Sequence, residues 1–312
     1  MARNQTIPSV CVIIPNKNGL NHLVYSLPLL MRTGYKNFYC ILVDNNSTDG
    51  SIGFVRNNFK SIEILENKDT RGFASTVNKG IKQALIQNSD YVAVFNSDIK
   101  VLPQWIDTVI NLFEIEDNVG LIGYTEVAKE NKDFFVDNQK IGLSYQNVKR
   151  LPGCLYLCPT QVFRNIGLFD EKYYMYGEDN DFFSRLTHAG YLILQTNIPV
   201  WHYGEGSSQS YEFRNSWLVY RNAIRCSIKN ESIILVVRMF CAMLYLGCNP
   251  FLKNPTNDLS LKRLRRYNCF INFVFFVASI GWNIVNIIPT LQSRYEVRQN
   301  IKKMKIDVSM NK

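Results

Sequence analysis

Polar side chains follow four successive apolar runs in the first third of the chain. The groups are Asn16 with Asn18, Asp44 with Asn45 and Asn46, Asn67 with Asp69, and Asn96 with Asp98. In an open α/β sheet, ligands bind in the crevice outside the carboxyl ends of the strands. Asn and Asp are also common turn residues, which explains any single group. Four groups in succession favour a polar binding groove at one edge of a sheet.

Asp98 is the residue of this groove that is best suited to hold a metal ion. It ends the tripeptide Asn96-Ser97-Asp98, which directly follows the apolar run Tyr91–Phe95. A carboxylate at a strand end can hold Mg²⁺ or Mn²⁺, with phosphate oxygens completing the coordination. A turn Asp that caps the following segment is the structural alternative, and the tripeptide alone does not decide between them.

A second acidic cluster, Glu178, Asp179 and Asp181, opens a predicted helix that ends at Ala189-Gly190. Acidic residues favour the first turn of a helix, and Asp181 and Arg185 have the spacing of an i,i+4 ion pair. A structural explanation is therefore available. The aromatic-rich run 169–176 before the cluster indicates instead a sugar-binding surface beside a general base, because clustered like charges raise the pKa of one carboxylate.

His202 lies between a strand-like run at 191–194 and a Gly/Ser-rich stretch at 204–208. This setting suits a contact with phosphate or metal, and a structural role fits the sequence equally well.

The elements that must position these residues alternate between strands and helices over residues 9–124. Strand, helix, strand, helix is the pattern of a parallel sheet covered on both faces. The predicted strands are Val10–Ile14, Phe38–Val43, Ile62–Leu65, Tyr91–Phe95 and Val119–Gly123, and the predicted helices are Leu20–Met31, a short helix ending near Asn58, Phe73–Ile86 and Pro103–Phe113.

The chain changes character twice after this region. Residues 125–215 are less regular and richer in aromatic residues and Gly, and residues 216–312 contain two long apolar stretches joined by a basic linker. The second change predicts a domain boundary near residue 215. A helical, basic, membrane-associated region is expected at 216–312.

Composition excludes several classes of protein. The chain has 312 residues, of which 46% are hydrophobic and 20% are charged, so it is not a disordered chain, a collagen-like fibre or a coiled coil. Its eight Cys contain no Cys-x-x-Cys pair and there are only three His, which argues against a zinc framework. Several Cys lie in apolar runs, as expected of buried thiols in a reducing compartment. The polar N-terminus predicts no secretory signal.

The positive charge is concentrated in the tail. Of the net charge of +9, residues 251–312 carry +8, from 11 Lys and Arg against three acids. A membrane span needs about 20 apolar residues. Ile233–Leu246 is short and contains Arg238, and Phe270–Ile288 is uncharged but contains three Asn. An interfacial helix with a basic collar is favoured over a span or hairpin, and over a helix packed on the catalytic domain.

Taken in order, the motifs resemble those of an inverting family 2 glycosyltransferase of the GT-A fold, most closely the rhamnosyltransferase-like branch of bacterial polysaccharide biosynthesis. The resemblance covers residues 10–208, and Asn96 departs from it by replacing the usual Asp. It rests on Val12-Ile13-Ile14-Pro15-Asn16, on 43–51, on Gly72-Phe73-Ala74 with Asn78 and Gly80, on 96–98, on Gly167-Leu168-Phe169-Asp170-Glu171, on 176–181 and on Val200-Trp201-His202.

The resemblance implies an α/β GT-A fold, with a mostly parallel sheet flanked by helices and a helical membrane-associating tail. It implies a catalytic domain at 1–215, with a nucleotide-binding half at about 1–124 and an acceptor half at about 125–215. It implies that Asp98 and His202 bind Mg²⁺ or Mn²⁺. It also implies that Asp179 is the general base, with Glu178 and Asp181 beside it. The residues implied to bind the nucleotide-sugar donor are Pro15, Asn16, Asp44, Asn46, Gly72, Asn78 and Asn96.

The implied activity is transfer of a hexose, such as rhamnose, from a nucleoside-diphosphate sugar to a glycan or lipid-linked acceptor in cell-wall or O-antigen synthesis. The expected location is the cytoplasmic face of a membrane, on an anionic surface or with a C-terminal hydrophobic anchor. A nucleotidyltransferase is disfavoured because 16–19 is too short for a Gly-rich basic loop. A catalytically silent nucleotide-sugar-binding protein is disfavoured by the intact Asp98, Asp179 and His202. Nucleic acid is not an expected partner, because apolar residues interleave the basic tail.

Overall fold

A computed structural model of the chain describes residues 7–127, 142–203, 212–249, 251 and 264–310. The stretch 204–208 and the basic residues Lys253, Lys262 and Arg263 lie outside the described residues. The chain forms two compact units. The first unit contains Met1–Phe169 and Leu186–Ser207, and the second contains Asp170–Arg185 and Ser208–Lys312. The boundary that the sequence suggests near residue 215 stays a prediction.

The described part of the first unit is built on a nine-stranded sheet with the order β3-β2-β1-β4-β8-β6-β9-β5, to which β7 is added by pairing with β9. Strands β3, β2, β1 and β4 are parallel neighbours, as are β6 and β9, whereas β5, β7 and β8 pair in the antiparallel sense. The strands are β1 (Val10–Asn16), β2 (Phe38–Asp44), β3 (Glu63–Glu66), β4 (Tyr91–Phe95), β5 (Ile99–Lys100), β6 (Val119–Val127), β7 (Tyr145–Asn147), β8 (Leu155–Pro159) and β9 (Leu192–His202).

Helices accompany the sheet, so the expected α/β architecture with a mostly parallel, helix-flanked sheet is confirmed. The central strands are buried along their apolar runs, as strands covered on both faces should be. The helices up to residue 189 are α1 (Leu20–Leu30), α2 (Ser51–Asn58), α3 (Phe73–Ile86), α4 (Leu112–Ile115), α5 (Thr160–Ile166) and α6 (Glu178–Ala189).

The helix predicted at Pro103–Phe113 is wrong. The segment forms consecutive turns, and only Leu112–Ile115 is α-helical. The Trp105 carbonyl accepts a hydrogen bond from the Tyr124 hydroxyl, at 3.1 Å, and Val109 N bonds to the Ile106 carbonyl instead of to Trp105. This tertiary contact occupies the acceptor that a regular α-helix would use.

The last strand of the sheet is longer than the sequence predicts. β9 continues to His202 through Pro199, although proline cannot donate to a strand ladder. The pairing of β6 with β9 shifts in register between Gly123 and Thr125, and Pro199 lies opposite Thr125 directly after that shift. An irregularity of this kind is where a sheet tolerates proline.

The second unit is helical. Its long helices are α7 (Glu212–Asn230), α8 (Ile233–Cys248), α9 (Cys269–Val285) and α10 (Ile287–Met310). Tyr220, Ile224, Met243, Phe275 and Phe276 are buried together at its centre. Taken singly, none of the described helices is long and apolar enough to cross a membrane. The pair Cys269–Val285 and Ile287–Met304, bent by 68°, could do so together by length and composition.

Close packing of α3 on β1 generates a stability prediction. A Cβ added at Gly80 would lie 2.5 Å from Ile13 Cγ2, inside the core. We therefore expect Gly80→Ala to lower the free energy of unfolding by about 1–3 kcal/mol. At Gly53 in α2 an added Cβ meets no heavy atom within 4 Å, so Gly53→Ala is the matched control and should be neutral or stabilising. Thermal denaturation followed by circular dichroism checks the pair. A melting temperature for Gly80→Ala at or above that of Gly53→Ala would contradict the packing.

Candidate active site

The carboxyl ends of β1, β2, β3 and β4 lie at one edge of the sheet, as the sequence predicts. The parallel register pairs Asn16 with Asp44 and Asp44 with Glu66. Asn67 N follows with a 2.8 Å hydrogen bond to the Asp44 carbonyl. The polar residues after each strand are therefore neighbours in space.

Asp44 is held by the residues around it. One of its oxygens accepts from Asn16 Nδ2 at 2.9 Å, and the other accepts from Ser47 N at 2.8 Å. A carboxylate has about four acceptor sites, so Asp44 keeps capacity for a ligand donor. Asn16 is buried and also donates to Ser51 Oγ at 2.9 Å. Asn16 thus orients Asp44, while its Oδ1 is buried without a hydrogen-bond partner in the described chain, and its contact with a donor stays a prediction.

Asn78, another predicted donor-binding residue, is bonded to backbone, and its contact with a donor stays a prediction. Its Nδ2 donates to the Phe169 carbonyl at 2.9 Å, and its Oδ1 accepts from Phe169 N at 3.0 Å. Both amide atoms therefore hold backbone, and this buried side chain fixes the segment at Phe169.

The other predicted donor-binding positions lie along the same edge. Pro15 is in β1 beside Val43, and the Asn46 carbonyl accepts from Lys17 Nζ. Gly72 precedes α3, where its carbonyl accepts from Thr76 N at 3.1 Å. The contacts of these three residues with a donor stay predictions.

Asp98 and His202 are brought together by the pairing of β5 with β9, in which Ile99 lies opposite His202. His202 Nε2 is 3.3 Å from Asp98 Oδ1, and His202 Nδ1 is 2.9 Å from Glu126 Oε1. Glu126, in β6, lies opposite Val200 in β9. Val200 and His202 are two residues apart on β9 and so share a face of the sheet, which lets Glu126 reach His202.

The pKa values of Asp98 and His202 both shift in the direction that favours their charged forms. Burial raises the pKa of Asp98, but the hydrogen bond and charge of His202 outweigh it and hold the pKa below its ordinary value. Burial lowers the pKa of His202, but Asp98 and Glu126 outweigh it and raise the pKa to about 9. The positive charge between the two carboxylates is therefore the imidazolium, and a metal ion bound at Nε2 would displace its proton.

The chemistry of this donor set fits Mg²⁺ or Mn²⁺. Asp98 supplies a hard oxygen and His202 an imidazole nitrogen, while Glu126 orients the imidazole through its other nitrogen. Asn96 Oδ1 is buried without a hydrogen-bond partner in the described chain, which leaves one more oxygen for a cation or its water. Asp98 and His202 are the residues that could hold the ion.

Cys154 belongs to a competing set of possible ligands. Glu126, Cys154 and His202 place one ligand atom each within 4.8 Å of one another. Burial raises the pKa of the Cys154 thiol to about 12, with smaller contributions from Glu126 and Asp98. Because Mg²⁺ and Mn²⁺ prefer oxygen to soft sulfur ligands and Cys154 is buried in the core, Asp98 and His202 stay the predicted metal ligands.

In the second unit, Asp181 lies in a buried ion-pair network. It is fully buried, and its Oδ2 is 2.9 Å from Arg185 Nε and 3.0 Å from Lys229 Nζ. Burial raises the pKa of Asp181, but the two cations outweigh it and hold the pKa below its ordinary value. The sequence predicts a raised pKa for one carboxylate of the cluster, and Asp181 is not that carboxylate. The i,i+4 pair with Arg185 is confirmed. Asp181 lies in a buried ion pair, and its role beside the expected base stays a prediction.

Asp170 extends the same network. It is 2.7 Å from Arg225 Nη2 and 3.0 Å from Lys229 Nζ. Burial raises the pKa of Asp170, but Lys229 and Arg225 together hold it well below the usual range. Two carboxylates thus share Lys229, and α7 supplies their counter-charge.

Glu178 is buried and Asp179 is half-buried at the start of α6. One oxygen of Asp179 accepts from Asn180 N at 2.7 Å. The turn before Asp179 holds three residues in the left-handed region, namely Tyr174 (φ 64°), Tyr176 (φ 67°) and Gly177 (φ 86°). Such conformations are costly for a tyrosine and require support from their surroundings.

Two adjacent residues of α7 supply that support. Asn222 Nδ2 donates to the carbonyls of Tyr173, Met175 and Tyr176 at 3.0, 2.8 and 2.5 Å. Arg221 Nη2 donates to the Tyr173 carbonyl at 2.6 Å. Amide and guanidinium donors on one helix thereby fix the backbone that leads to Asp179.

Sequence reasoning missed Glu126, Lys229 and Asn222. Glu126 lies beyond the predicted end of its strand, and continued β-like sequence to Val127 is the signal that could have found it. No local signal marks Lys229 or Asn222, whose partners lie 48 and 49 residues away along the chain.

The network at Asp181 generates a prediction that separates neighbouring acids. Asp181→Asn should lower the free energy of unfolding by about 3–5 kcal/mol, because it leaves buried cations unpaired. The depressed pKa means that the stabilisation is present above the unfolded pKa of about 3.9 and is lost as pH falls through the lower folded value. Denaturant unfolding at pH 7 and pH 3 measures both effects.

The exposed residue Asp69 provides the matched control, and Asp69→Asn should change stability by less than about 0.5 kcal/mol. Equal stability of the Asp181→Asn and Asp69→Asn variants at pH 7 would contradict the network.

Comparison with known proteins agrees with this geometry. Residues 11–172, just over half of the chain, match Glycosyl transferase family 2. An uncharacterized glycosyltransferase of Rickettsia typhi (strain ATCC VR-144 / Wilmington) is 28% identical over 212 residues, which cover 64% of this chain and 65% of that protein. The chain thus spans somewhat less than two thirds of that relative.

Two solved structures share the fold. The mannosyltransferase PcManGT from Pyrobaculum calidifontis, in complex with GDP-Man and Mn²⁺, has a TM-score of 0.57 at 14% identity and covers 99% of this chain and 89% of its own. GalNAc-T7 with UDP, GalNAc and Mn²⁺ has a TM-score of 0.60 at 12% identity and covers 91% of this chain and 58% of its own. The expected GT-A fold is confirmed, and with the match over residues 11–172 the chain belongs to glycosyl transferase family 2.

Proposed function

We propose that the protein transfers a hexose, such as rhamnose, from a nucleoside-diphosphate sugar to a glycan or lipid-linked acceptor, with inversion at the anomeric carbon. The observation that carries the proposal is the Asp98, His202 and Glu126 group at the carboxyl edge of the sheet. The nucleotides and Mn²⁺ in the two structures compared above support the donor class and the metal. The product belongs to cell-surface polysaccharide, such as cell wall or O-antigen.

The candidate site residues of the first unit each have a defined task in this reaction. Asp98 and His202 hold Mg²⁺ or Mn²⁺, and Glu126 keeps the imidazole in place. When bound, the ion neutralises charge on the departing nucleoside diphosphate. Asp44, oriented by Asn16, accepts a hydrogen bond from the nucleotide.

Asp179 takes the proton from the acceptor hydroxyl whose oxygen attacks the anomeric carbon from the side opposite the leaving group. Its turn is held by Asn222 and Arg221, so the carboxylate keeps one position during the reaction. Asp181 is already engaged by Arg185 and Lys229, which leaves Asp179 and Glu178, and of these two we assign the base to Asp179.

We further propose that the second unit docks on the anionic cytoplasmic surface of a membrane. The support is the inverted polarity of α9, whose polar residues Asn272, Ser279 and Asn283 are buried. Asn272 Nδ2 donates to the carbonyls of Gly247 and Tyr267, both at 2.9 Å. Three Asn in this stretch argue against membrane insertion in the sequence, and two of them, Asn272 and Asn283, are buried against protein.

The outward side of these helices is mostly apolar, although Arg238 is also exposed on α8. On α9 the exposed side chains include Phe270, at 72%, and Val277, at 50%. On α8 they include Ile233, at 76%, and Val237, at 56%. Apolar surface of this extent, beside the basic residues of the tail, suits an anionic lipid surface.

The base assignment is tested by Asp179→Asn. We expect transfer to fall by about 10²-fold or more, because a lost base acts on the transition state, while donor binding survives. Donor affinity by calorimetry and turnover with nucleotide sugars measure the two effects. Near-normal kcat in Asp179→Asn, with loss in Glu178→Gln, would move the base to Glu178.

The metal role is tested by Asp98→Ala and by chelation. A screen of nucleotide sugars for hydrolysis in Mn²⁺ or Mg²⁺ first identifies the donor. EDTA should then stop the reaction, and Asp98→Ala should weaken donor binding, because both remove the cation from the diphosphate. Full activity in chelator together with an unaffected Asp98→Ala variant would rule out the role.

Membrane docking is tested by flotation of the full chain with vesicles of phosphatidylglycerol or phosphatidylcholine. Wild-type protein should float with the anionic vesicles, and high salt should loosen it without full release. The double variant Phe270→Asp, Val277→Asp should stay in the soluble fraction. Ile115→Asp is the matched control, since Ile115 is 71% exposed on the first unit. Equal flotation of the double variant and the control would contradict docking through α9.

A further inference from the structure

One face of α7 carries hydrogen-bond donors and positive charge that form no direct ion pair with a carboxylate among the described residues. Arg214, Trp217 and Arg221 occupy positions i, i+3 and i+7, which lie on one side of a helix. We call this set the α7 donor face. The guanidinium of Arg214 lies 4.2 Å above the ring of Tyr174, and that of Arg221 lies 4.5 Å above the ring of Trp282.

The cations of α7 fall into two classes. Arg225 and Lys229 are paired with the buried carboxylates Asp170 and Asp181. Across the described residues, neither Arg214 nor Arg221 forms an ion pair. Burial, with the nearby charges of Arg225 and Arg214, lowers the pKa of Arg221 to about 10. The α7 donor face is therefore a site where positive charge is held at a cost and where an anion is stabilised.

The α7 donor face also has hydrogen-bond donors without acceptors among the described residues. Trp217 Nε1 is buried and has no acceptor in the described chain. Arg221 uses Nε and Nη2 on Asn222 Oδ1 and on the carbonyls of Lys172 and Tyr173, which leaves Nη1. Arg214 is exposed, and within the described ranges its guanidinium forms no hydrogen bond or ion pair. All of these groups donate and none accepts.

We propose that the α7 donor face binds a phosphate or diphosphate group of the acceptor. A phosphate oxygen only accepts, which matches a donor-only set, and the planar guanidinium fork is suited to phosphate. A neutral sugar hydroxyl would both donate and accept, and it would leave the positive charge uncompensated. The assignment of the phosphate to the acceptor rests on the proposed function, since Arg221 also holds the turn before Asp179.

Binding of inorganic pyrophosphate, followed by tryptophan fluorescence in EDTA, tests the site without sugar transfer. EDTA removes the metal that would hold a diphosphate at Asp98. Arg214→Gln should weaken binding by about tenfold, and Trp217→Phe, which keeps an aromatic ring but removes the N–H, by about threefold. Arg150→Gln removes an equally exposed charge from the first unit and should leave the affinity unchanged. Equal affinity in all four proteins, or no binding by wild type, overturns the inference.

Binding to two kinds of vesicle distinguishes an acceptor phosphate from the phosphate of a lipid head group. Neutral vesicles that carry an isoprenoid diphosphate present an acceptor carrier, and phosphatidylglycerol vesicles present only head groups. Binding to the first that is weakened by Arg214→Gln supports the acceptor assignment. An effect of Arg214→Gln on the second alone overturns it in favour of a head-group site.

The outcomes also separate this inference from the proposed function. A protein that loses pyrophosphate binding in Arg214→Gln but turns over no nucleotide sugar contradicts the proposed function and keeps the site. A protein that turns over nucleotide sugar but binds pyrophosphate equally well in wild type and Arg214→Gln contradicts the site and keeps the function.

Discussion

The register of the sheet is the constraint on which the first unit depends. Parallel pairing of β3, β2, β1 and β4 brings four polar strand ends to one edge, because parallel strands end on the same side. The antiparallel pairing of β5 with β9 then sets Ile99 opposite His202 and so brings Asp98 to the imidazole. A slip of one residue would turn His202 to the other face of the sheet and away from both carboxylates.

The second unit depends on α7 in a comparable way. Lys229 and Asn230 satisfy Asp181, and Arg221 and Asn222 hold the strained turn before Asp179. One helix thus stabilises buried charge and fixes the backbone of the proposed base. The cost of burying cations is offset where carboxylates contact them. At the α7 donor face, the part of the chain that the structure describes supplies no carboxylate in direct contact.

The sequence predicts most of the first half of the fold, because buried parallel strands are apolar runs with polar residues at their ends. Asp98 and His202 can be identified from such local patterns. Glu126 cannot, because it reaches His202 only through the pairing of strands distant along the chain. The turns at Pro103–Phe113 escape prediction for a similar reason, since a tertiary hydrogen bond to Trp105 competes with the helix. The sequence also does not show that Asn272 and Asn283 are buried against protein, so the Asn residues of this apolar stretch count less against contact with lipid than the sequence suggests.

The central claim is that Asp98 and His202 together bind the divalent cation at the carboxyl edge of the sheet. Electron spin-echo spectroscopy of Mn²⁺ bound to the protein with a nucleoside diphosphate tests it most directly, because it detects nitrogen on the metal. We predict a ¹⁴N modulation from one imidazole that disappears in His202→Gln and persists in His22→Gln. Bound Mn²⁺ with no nitrogen modulation, or with one that survives in His202→Gln, would contradict the account.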